Sequence, residues 1–247
     1  MTPTPVGMRC PECARERTPV RKLRSSVRRP WVTDSLIAVN VVAFLAEQGQ
    51  FGVTSSQGLH GAVVEEGWLY RMAISQGHQY WRLVTSGFLH VSITHIGFNM
   101  LILYFVGRWL EPAIGSTRFA VVYFTSLLAG SFGALFATPG ISLGASGAIF
   151  GLLGAGVVEA RARRIGVMES GIGGLIIFNL LISFVFPDIS IGAHVGGLIG
   201  GFLAGLALRA ADDRRMPALG FLGCLLISVI SVLGAIAVAG STAPGIA

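Results

Sequence analysis

Long apolar runs, each closed by basic or turn-forming residues, dominate the chain. A helix needs about 20 mostly apolar residues to cross a bilayer. Seven runs reach or approach that length: Trp31–Glu47, Ile93–Leu110, Phe119–Phe136, Ser146–Val158, Ile172–Phe186, Ile191–Leu208 and Pro217–Val238. The pattern predicts an all-α polytopic membrane protein with seven crossings. The fourth run is short and rich in glycine, so something other than lipid must line part of it. The link Asp188–Ser190 between the fifth and sixth runs is very short, which makes those helices an antiparallel pair. Between the first and second runs, Gln48–Leu89 is too long for a hairpin. It carries Trp68, Tyr70, Tyr80 and Trp81, ring types that settle at a membrane–water interface, and is expected to lie partly among lipid headgroups.

Composition sharpens this picture. Of 247 residues, 53% are hydrophobic and 12% charged, with a mean hydropathy of +0.71. Soluble domains carry roughly a quarter of their residues as Asp, Glu, Lys and Arg, so a cytosolic globule, a disordered segment and a disulfide scaffold are all excluded. A net charge of +6 would suggest nucleic acid only if the basic residues shared one folded face. They lie instead at the ends of apolar runs, and no nucleic-acid partner is expected.

Their distribution predicts orientation. Arg9, Arg15, Arg17, Arg21, Lys22, Arg24, Arg28 and Arg29 precede the first run. With that arm in the cytoplasm, Arg108, Arg118, Arg161, Arg163, Arg164, Arg209, Arg214 and Arg215 also fall on the cytoplasmic side, and only Arg71 and Arg82 face outward. The N-terminus is therefore expected inside and the C-terminus outside. The first run does not read as a cleaved signal peptide, since its leader is long and no clear small-residue cleavage site follows. Cys10 and Cys13 form a single CxxC, half of what a structural zinc site needs. They read either as half a zinc ribbon or as a spare pair on a solvated arm. Cys224 stands far away in an apolar run.

Polar and ionisable residues inside membrane segments are expensive and default to functional hypotheses. With the derived topology, the second, fourth and sixth helices all enter from outside. His95 and Asn99 lie one turn apart on the second, about 6 Å along its axis. Ser146 is in the first turn of the fourth, within Leu143-Gly144-Ala145-Ser146-Gly147, and His194 is near the start of the sixth. A serine, two histidines and an asparagine thus share one depth. Each has an ordinary explanation: a serine in a Gly-rich helix commonly bonds its own i−4 carbonyl, and membrane His or Asn often join helices. In combination they form a nucleophile, a base and donors for a developing oxyanion. Glycines at four-residue spacing (Gly192, Gly196 and Gly200; Gly197, Gly201 and Gly205; Gly147 and Gly151, with Gly154 three residues on) allow close backbone approach in lipid. Pressing the fourth helix on the sixth would bring Ser146 within reach of His194.

These residues resemble the rhomboid family of intramembrane serine proteases, over roughly Trp31 to Arg209. The resemblance rests on Gly144-Ala145-Ser146-Gly147, His95-Ile96-Gly97-Phe98-Asn99, Gly192-Ala193-His194-Val195-Gly196-Gly197, Trp81-Arg82 ahead of Phe88-Leu89-His90, and Gly107-Arg108-Trp109-Leu110-Glu111. It implies a six-helix rhomboid-like core over residues 31–210, preceded by a basic cytoplasmic arm (1–30). A cytoplasmic link, a seventh membrane helix and a short outer tail follow (211–247). By the same resemblance Ser146 is the nucleophile and His194 its base, and His95 and Asn99 join the Ser146 N–H around the oxyanion. Gly144, Gly147, His90 and Phe150 support the site, Phe150 standing where many relatives carry a Tyr stacked on the histidine. Glu111 resembles a structural residue. Gly220, Gly223 and Gly234 of the seventh helix are suited to docking it on the core.

The partners so implied are transmembrane protein substrates and the bilayer itself. The Arg-heavy composition with a single Lys points to a bacterial plasma membrane, and no oligomeric state is specified. No cofactor is expected and no metal site, because HExxH is absent and no carboxylate accompanies His90, His95 and His194 in the outer half of the helices. Two other readings stay open: an inactive rhomboid-like protein that binds transmembrane helices, and a transporter with His and Asn on a permeation path. The latter requires polar residues through the full depth, whereas the helices below Asn99 and Ser146 are almost wholly apolar.

Overall fold

The computed structural model describes residues 2–4, 7–9, 29–49, 62–138, 140–185 and 189–241. A small antiparallel hairpin, β1 (Thr2–Thr4) and β2 (Gly7–Arg9), pairs Thr2 with Arg9. Among the described residues every other element is helical: α1 (Trp31–Gly49), α2 (Ala62–Gly67), α3 (Arg71–Ser75), α4 (Arg82–Thr85) with a 3-10 turn at Ser86–Phe88, α5 (Ile93–Ile114), α6 (Ser116–Ala137), α7 (Ser146–Ala162), α8 (Ile172–Val185), α9 (Ile191–Asp213) and α10 (Pro217–Gly240). The all-α polytopic expectation is met apart from the hairpin. By length and apolar composition, α5, α6, α9 and α10 can each cross a membrane, and α8 is a shorter apolar helix. The expected segments appear with most ends extended by a few residues, furthest at α9, which continues from Leu208 to Asp213, while the fifth is described as far as Val185. Cys10, Cys13 and Asp188 lie outside the described residues.

Burial sorts the helices. Most of α7, from Gly147 to Gly156, is buried, so this short helix is lined by protein and not by lipid. By contrast α10 exposes Leu219, Leu222, Leu225, Leu226, Val229, Ile230 and Leu233, as a lipid-facing helix does. The two glycine rows of α9 face different neighbours. A methyl group on Gly197 would run into the carbonyl oxygen of Gly147, and one on Gly201 into that of Gly151, so this row meets α7. Methyls on Gly192 and Gly196 would meet the carbonyls of Gly133 and Ala129, so the other row meets α6. α9 is therefore wedged backbone to backbone between two helices. Three glycines of α10 are similarly placed, with Gly220 and Gly223 against Leu208, Ala211 and Ala207 of α9, and Gly234 against Phe132 of α6.

Ion pairs gather at one end of this bundle. Arg108 near the end of α5 pairs with Asp34 at the start of α1 at 3.0 Å, and Arg118 at the start of α6 pairs with Asp212 at the end of α9 at 2.6 Å. Glu111 is 1% exposed. It accepts from Val32 N (3.0 Å), Thr33 N (2.8 Å), Thr33 Oγ1 (2.7 Å) and Ser116 Oγ (2.7 Å). One carboxylate thus satisfies two of the N–H groups that the first turn of α1 leaves without a partner, and it pins the α5–α6 corner to them. The structural role implied for Glu111 has a definite physical form.

Residues 62–92, ahead of α5, are bonded more closely than a simple loop. Arg82 is buried. Its Nη1 donates to the carbonyls of Glu65 and Trp68 (2.8 Å each), its Nε donates to Gln79 Oε1 (2.5 Å), and its guanidinium sits over the Tyr70 ring at 5.2 Å. The four aromatic rings divide accordingly. Tyr80 and Trp81 are exposed, as a headgroup position requires, while Trp68 and Tyr70 are half-buried around the arginine.

Replacing Gly201 by Ala should destabilise the bundle by about 1–3 kcal/mol, the range for inserting a methyl into a close-packed interior. Gly174→Ala, where nothing lies within 4 Å, should be near neutral. Thermal unfolding in detergent compares the two, and equal midpoints would remove the backbone-contact account of α9.

Candidate active site

Three helix starts converge at the end of the bundle opposite the ion pairs. Two are capped by serines. Ser92 Oγ accepts from His95 N at 3.1 Å at the start of α5, and Ser190 Oγ accepts from Ala193 N at 3.1 Å at the start of α9. Such caps fix where each helix begins, and hence how deep His95 and His194 sit. Ser190 Oγ also meets Thr138 Oγ1 at 2.8 Å, tying the start of α9 to the end of α6.

The chain ahead of Ser146 is stitched to the preceding segment. Leu69 and Ser142 exchange backbone bonds at 3.0 and 2.8 Å, and Gly144 N donates to Ser86 O at 2.8 Å. Because the Ser142 carbonyl accepts from Leu69, it is engaged away from the hydroxyl four residues on. Gly144 has φ +120°, a conformation unfavourable for other residues. A Cβ there would also lie 2.9 Å from His95 Nε2 and 3.9 Å from Ser146 Oγ. Glycine therefore leaves a small space flanked by the His95 ring on one side and the Ser146 hydroxyl on the other.

Ser146 is the first residue of α7 and half-buried, and His194 is buried. Ser146 Oγ and His194 Nε2 are 2.8 Å apart, inside the range for proton transfer between a nucleophile and its base. Phe150, one turn along α7, stacks on the His194 ring with centroids 4.1 Å apart and planes at 20°. The Ser146 and Gly147 N–H groups belong to the first turn of α7, where no carbonyl within the helix can take them. On α5, Asn99 is buried and uses one amide hydrogen on the His95 carbonyl at 3.0 Å, leaving the other hydrogen of its NH₂. The structure thus brings Ser146, His194, Phe150, Gly144, Gly147 and His95 together, with Asn99 one turn below His95.

His90 takes a different position. It is buried, its ring meets His95 edge to face with centroids 5.0 Å apart, and its backbone N donates to Glu47 Oε2 at 3.2 Å. It supports the back of the His95 ring and bonds α1 to the start of α5. Among the described residues, no group of three or more His, Cys, Asp or Glu side chains is placed to hold a metal ion.

Two residues of the site escaped the sequence reading. Ser183 Oγ on α8 is 2.7 Å from His194 Nδ1, and the same hydroxyl lies 2.8 Å from the Asn179 carbonyl. Glu47, read only as the end of the first run, is buried and accepts from His90 N, which overturns the expectation that no carboxylate accompanies the three histidines. Both carried a signal, since each is a polar residue within or at the end of an apolar helix. Asn179 and Ser183 also lie one turn apart on the otherwise apolar α8.

A bundle of membrane-crossing helices with a serine–imidazole pair at one end defines an integral multi-pass membrane protein with a hydrolase-like constellation. The family model described as the Rhomboid domain matches residues 77–211, and the chain belongs to the rhomboid family. It is 36% identical over 208 residues to Rhomboid protease GluP of Bacillus subtilis (strain 168), across 83% of this chain and 39% of that protein. It is 39% identical over 135 residues to RHOMBOID-like protein 1 of Arabidopsis thaliana, across 52% of this chain and 34% of the relative. Inactive RHOMBOID-like protein 8 of the same plant is 41% identical over 136 residues, across 51% and 38%. The chain spans about two fifths of the length of GluP.

Gly140 and Gly144 separate the two demands on the loop before Ser146. Both have positive φ, but a Cβ on Gly140 meets nothing within 4 Å. Gly140→Ala should lose about 1–3 kcal/mol from backbone strain alone. Gly144→Ala should lose more, because the His95 ring must also move. Equal unfolding midpoints for the two variants would show that His95 does not press on Gly144.

Proposed function

We propose that this protein is an intramembrane serine endopeptidase that cleaves transmembrane segments of other membrane proteins through a Ser146–His194 dyad. The observation that carries this reading is the 2.8 Å contact between Ser146 Oγ and His194 Nε2, made by side chains on two helices whose backbones touch. His194 takes the serine proton as Oγ attacks the scissile carbonyl, then delivers it to the leaving amine. Water repeats the cycle on the acyl-enzyme. The oxyanion is received by the Ser146 N–H, with the free Asn99 amide hydrogen and the His95 ring beside the Gly144 space. Losing one such donor raises the barrier by roughly 2.7–4 kcal/mol in other hydrolases.

Orientation follows the basic residues, with the arm before α1 in the cytoplasm and the dyad toward the outer face. The end of the bundle that carries the ion pairs Arg108–Asp34 and Arg118–Asp212 lies opposite the dyad, which agrees with that reading. Water reaches Ser146 from the outer face, while α7 itself is shielded from lipid by its neighbours. A membrane-spanning substrate has its amides bonded internally, so its carbonyls are shielded from attack. Preferred substrates accordingly carry helix-breaking Gly or Pro and small side chains near the outer leaflet. Strong helix formers placed around the cut site should slow cleavage, and unchanged rates would remove the unwinding requirement.

The inactive plant relative makes a second reading specific: a helix-binding protein without catalysis. Cleavage of a model transmembrane substrate in proteoliposomes separates the two. The wild type should cleave, Ser146→Ala and His194→Ala should fall by at least about 10³-fold, and a chelator should leave the wild-type rate unchanged. Substrate binding without cleavage would establish the helix-binding reading. Activity lost to chelator and restored by zinc would replace the dyad with a metal mechanism.

A further inference from the structure

The hydrogen bonds around His194 determine more than its distance from Ser146. We propose that Ser183 is a positioning residue of the candidate dyad, its hydroxyl oxygen accepting the Nδ1 proton of His194 and so holding the imidazole with its Nε2 lone pair toward Ser146. The proposal rests on the dyad reading for its catalytic meaning, but its structural content stands on the α8–α9 contact alone.

The argument is one of proton counting. The Ser183 hydroxyl has a single hydrogen and two close neighbours, Asn179 O at 2.8 Å and His194 Nδ1 at 2.7 Å. A carbonyl oxygen only accepts, so the hydroxyl hydrogen goes to Asn179 O, which leaves Oγ to accept. A neutral imidazole has one N–H and one lone pair. With N–H at Nδ1 facing Ser183, the lone pair is at Nε2, facing the Ser146 hydroxyl at 2.8 Å. In that arrangement every contact has one donor and one acceptor. In the other tautomer Nε2–H would point at Ser146, and the ring could no longer accept its proton. Ser183 and His194 are 2% and 4% exposed, so bulk water does not compete for either bond.

Three side chains therefore divide the control of one ring. Stacking on Phe150 sets its plane, Ser146 meets one nitrogen, and Ser183 meets the other. When Ser146 attacks, its O–H bond breaks, an Nε2–H bond forms, the Oγ electron pair makes the new bond to the carbonyl carbon, and the carbonyl π pair moves onto its oxygen as the oxyanion. Nδ1–H continues to donate to Ser183 throughout, and Ser183 neither gains nor loses a proton. Because the acceptor is a neutral hydroxyl, not a carboxylate, its contribution is to tautomer and orientation, with little charge stabilisation of the imidazolium. The chain departs here from a bare dyad: the third group comes from a helix, α8, that carries neither of the reacting residues.

The test uses the full chain in detergent and in proteoliposomes, with Ser183→Ala, Ser183→Cys, Ser183→Thr and Ser146→Ala. The readouts are the labelling rate with an alkyl fluorophosphonate, kcat and KM on a model transmembrane substrate, and ¹⁵N NMR of histidine-labelled protein. The His194 signals are identified by their loss in His194→Asn. Wild type should show His194 as the Nδ1–H tautomer. Ser183→Ala should mix the tautomers and lower the labelling rate and kcat about tenfold, a modest fraction of a general base's worth, with KM within about twofold. Ser183→Thr keeps the hydroxyl and should restore both the tautomer and most of the rate. Ser183→Cys, a near-isosteric change to a weak acceptor, should behave like Ala and serves if the Ala variant does not fold. An unchanged tautomer and labelling rate in Ser183→Ala or Ser183→Cys would overturn the proposal. A wild type labelled no faster than Ser146→Ala would instead overturn the dyad reading, while the NMR comparison would still decide whether Ser183 holds the ring.

Discussion

The architecture depends on the closeness of two helix backbones. In lipid there is little hydrophobic force between helices, and association comes from van der Waals contact and interhelical bonds. α9 meets α7 through Gly197 and Gly201 against the carbonyls of Gly147 and Gly151. Only residues without a Cβ allow that approach, and only that approach leaves the Ser146 hydroxyl and the His194 ring a single hydrogen bond apart. Any larger residue along the row would separate the helices by more than such a bond tolerates. Packing and candidate chemistry are therefore the same constraint seen at two points along one pair of helices.

That constraint is anchored at both ends. At the charged end, the buried Glu111 carboxylate takes the first N–H groups of α1 and the Ser116 hydroxyl, fixing the α5–α6 corner. At the other end, Ser92 and Ser190 cap α5 and α9, while Leu69 and Ser86 hold the chain that leads into α7. The candidate site sits on helix starts held by short local bonds and not on a free loop. Preorganised donors act in this way because the chain is already in place when charge develops.

The surroundings of His194 show how a membrane interior restricts chemistry. With so few polar groups nearby, both ring nitrogens of His194 nevertheless have a definite partner. The ring stacks on Phe150 and its two nitrogens each face a serine hydroxyl. In water a neutral imidazole exchanges tautomers freely, whereas here the sequence of donors and acceptors from Asn179 through Ser183 leaves one arrangement with every hydrogen placed. A polar pair one turn apart on α8 thereby bears, through the His194 ring of α9, on the Ser146 hydroxyl of α7.

Much of this was legible in the residues themselves. Run lengths of apolar residues and the low charge fixed the membrane class, because hydrocarbon accepts little else. The basic residues at run ends showed which helix starts share a level, so Ser146, His95, Asn99 and His194 could be grouped before any coordinates were known. The glycine spacing announced close packing, but not which row meets which helix: that one row of α9 faces α7 and the other α6 depends on rotation about the helix axis, which spacing alone leaves free. Nor could Ser183 or Glu47 be paired with a histidine from sequence, since a lone polar residue on an apolar helix signals only that some partner exists. The partner is set by how whole helices lean on one another, and that is decided by tertiary packing.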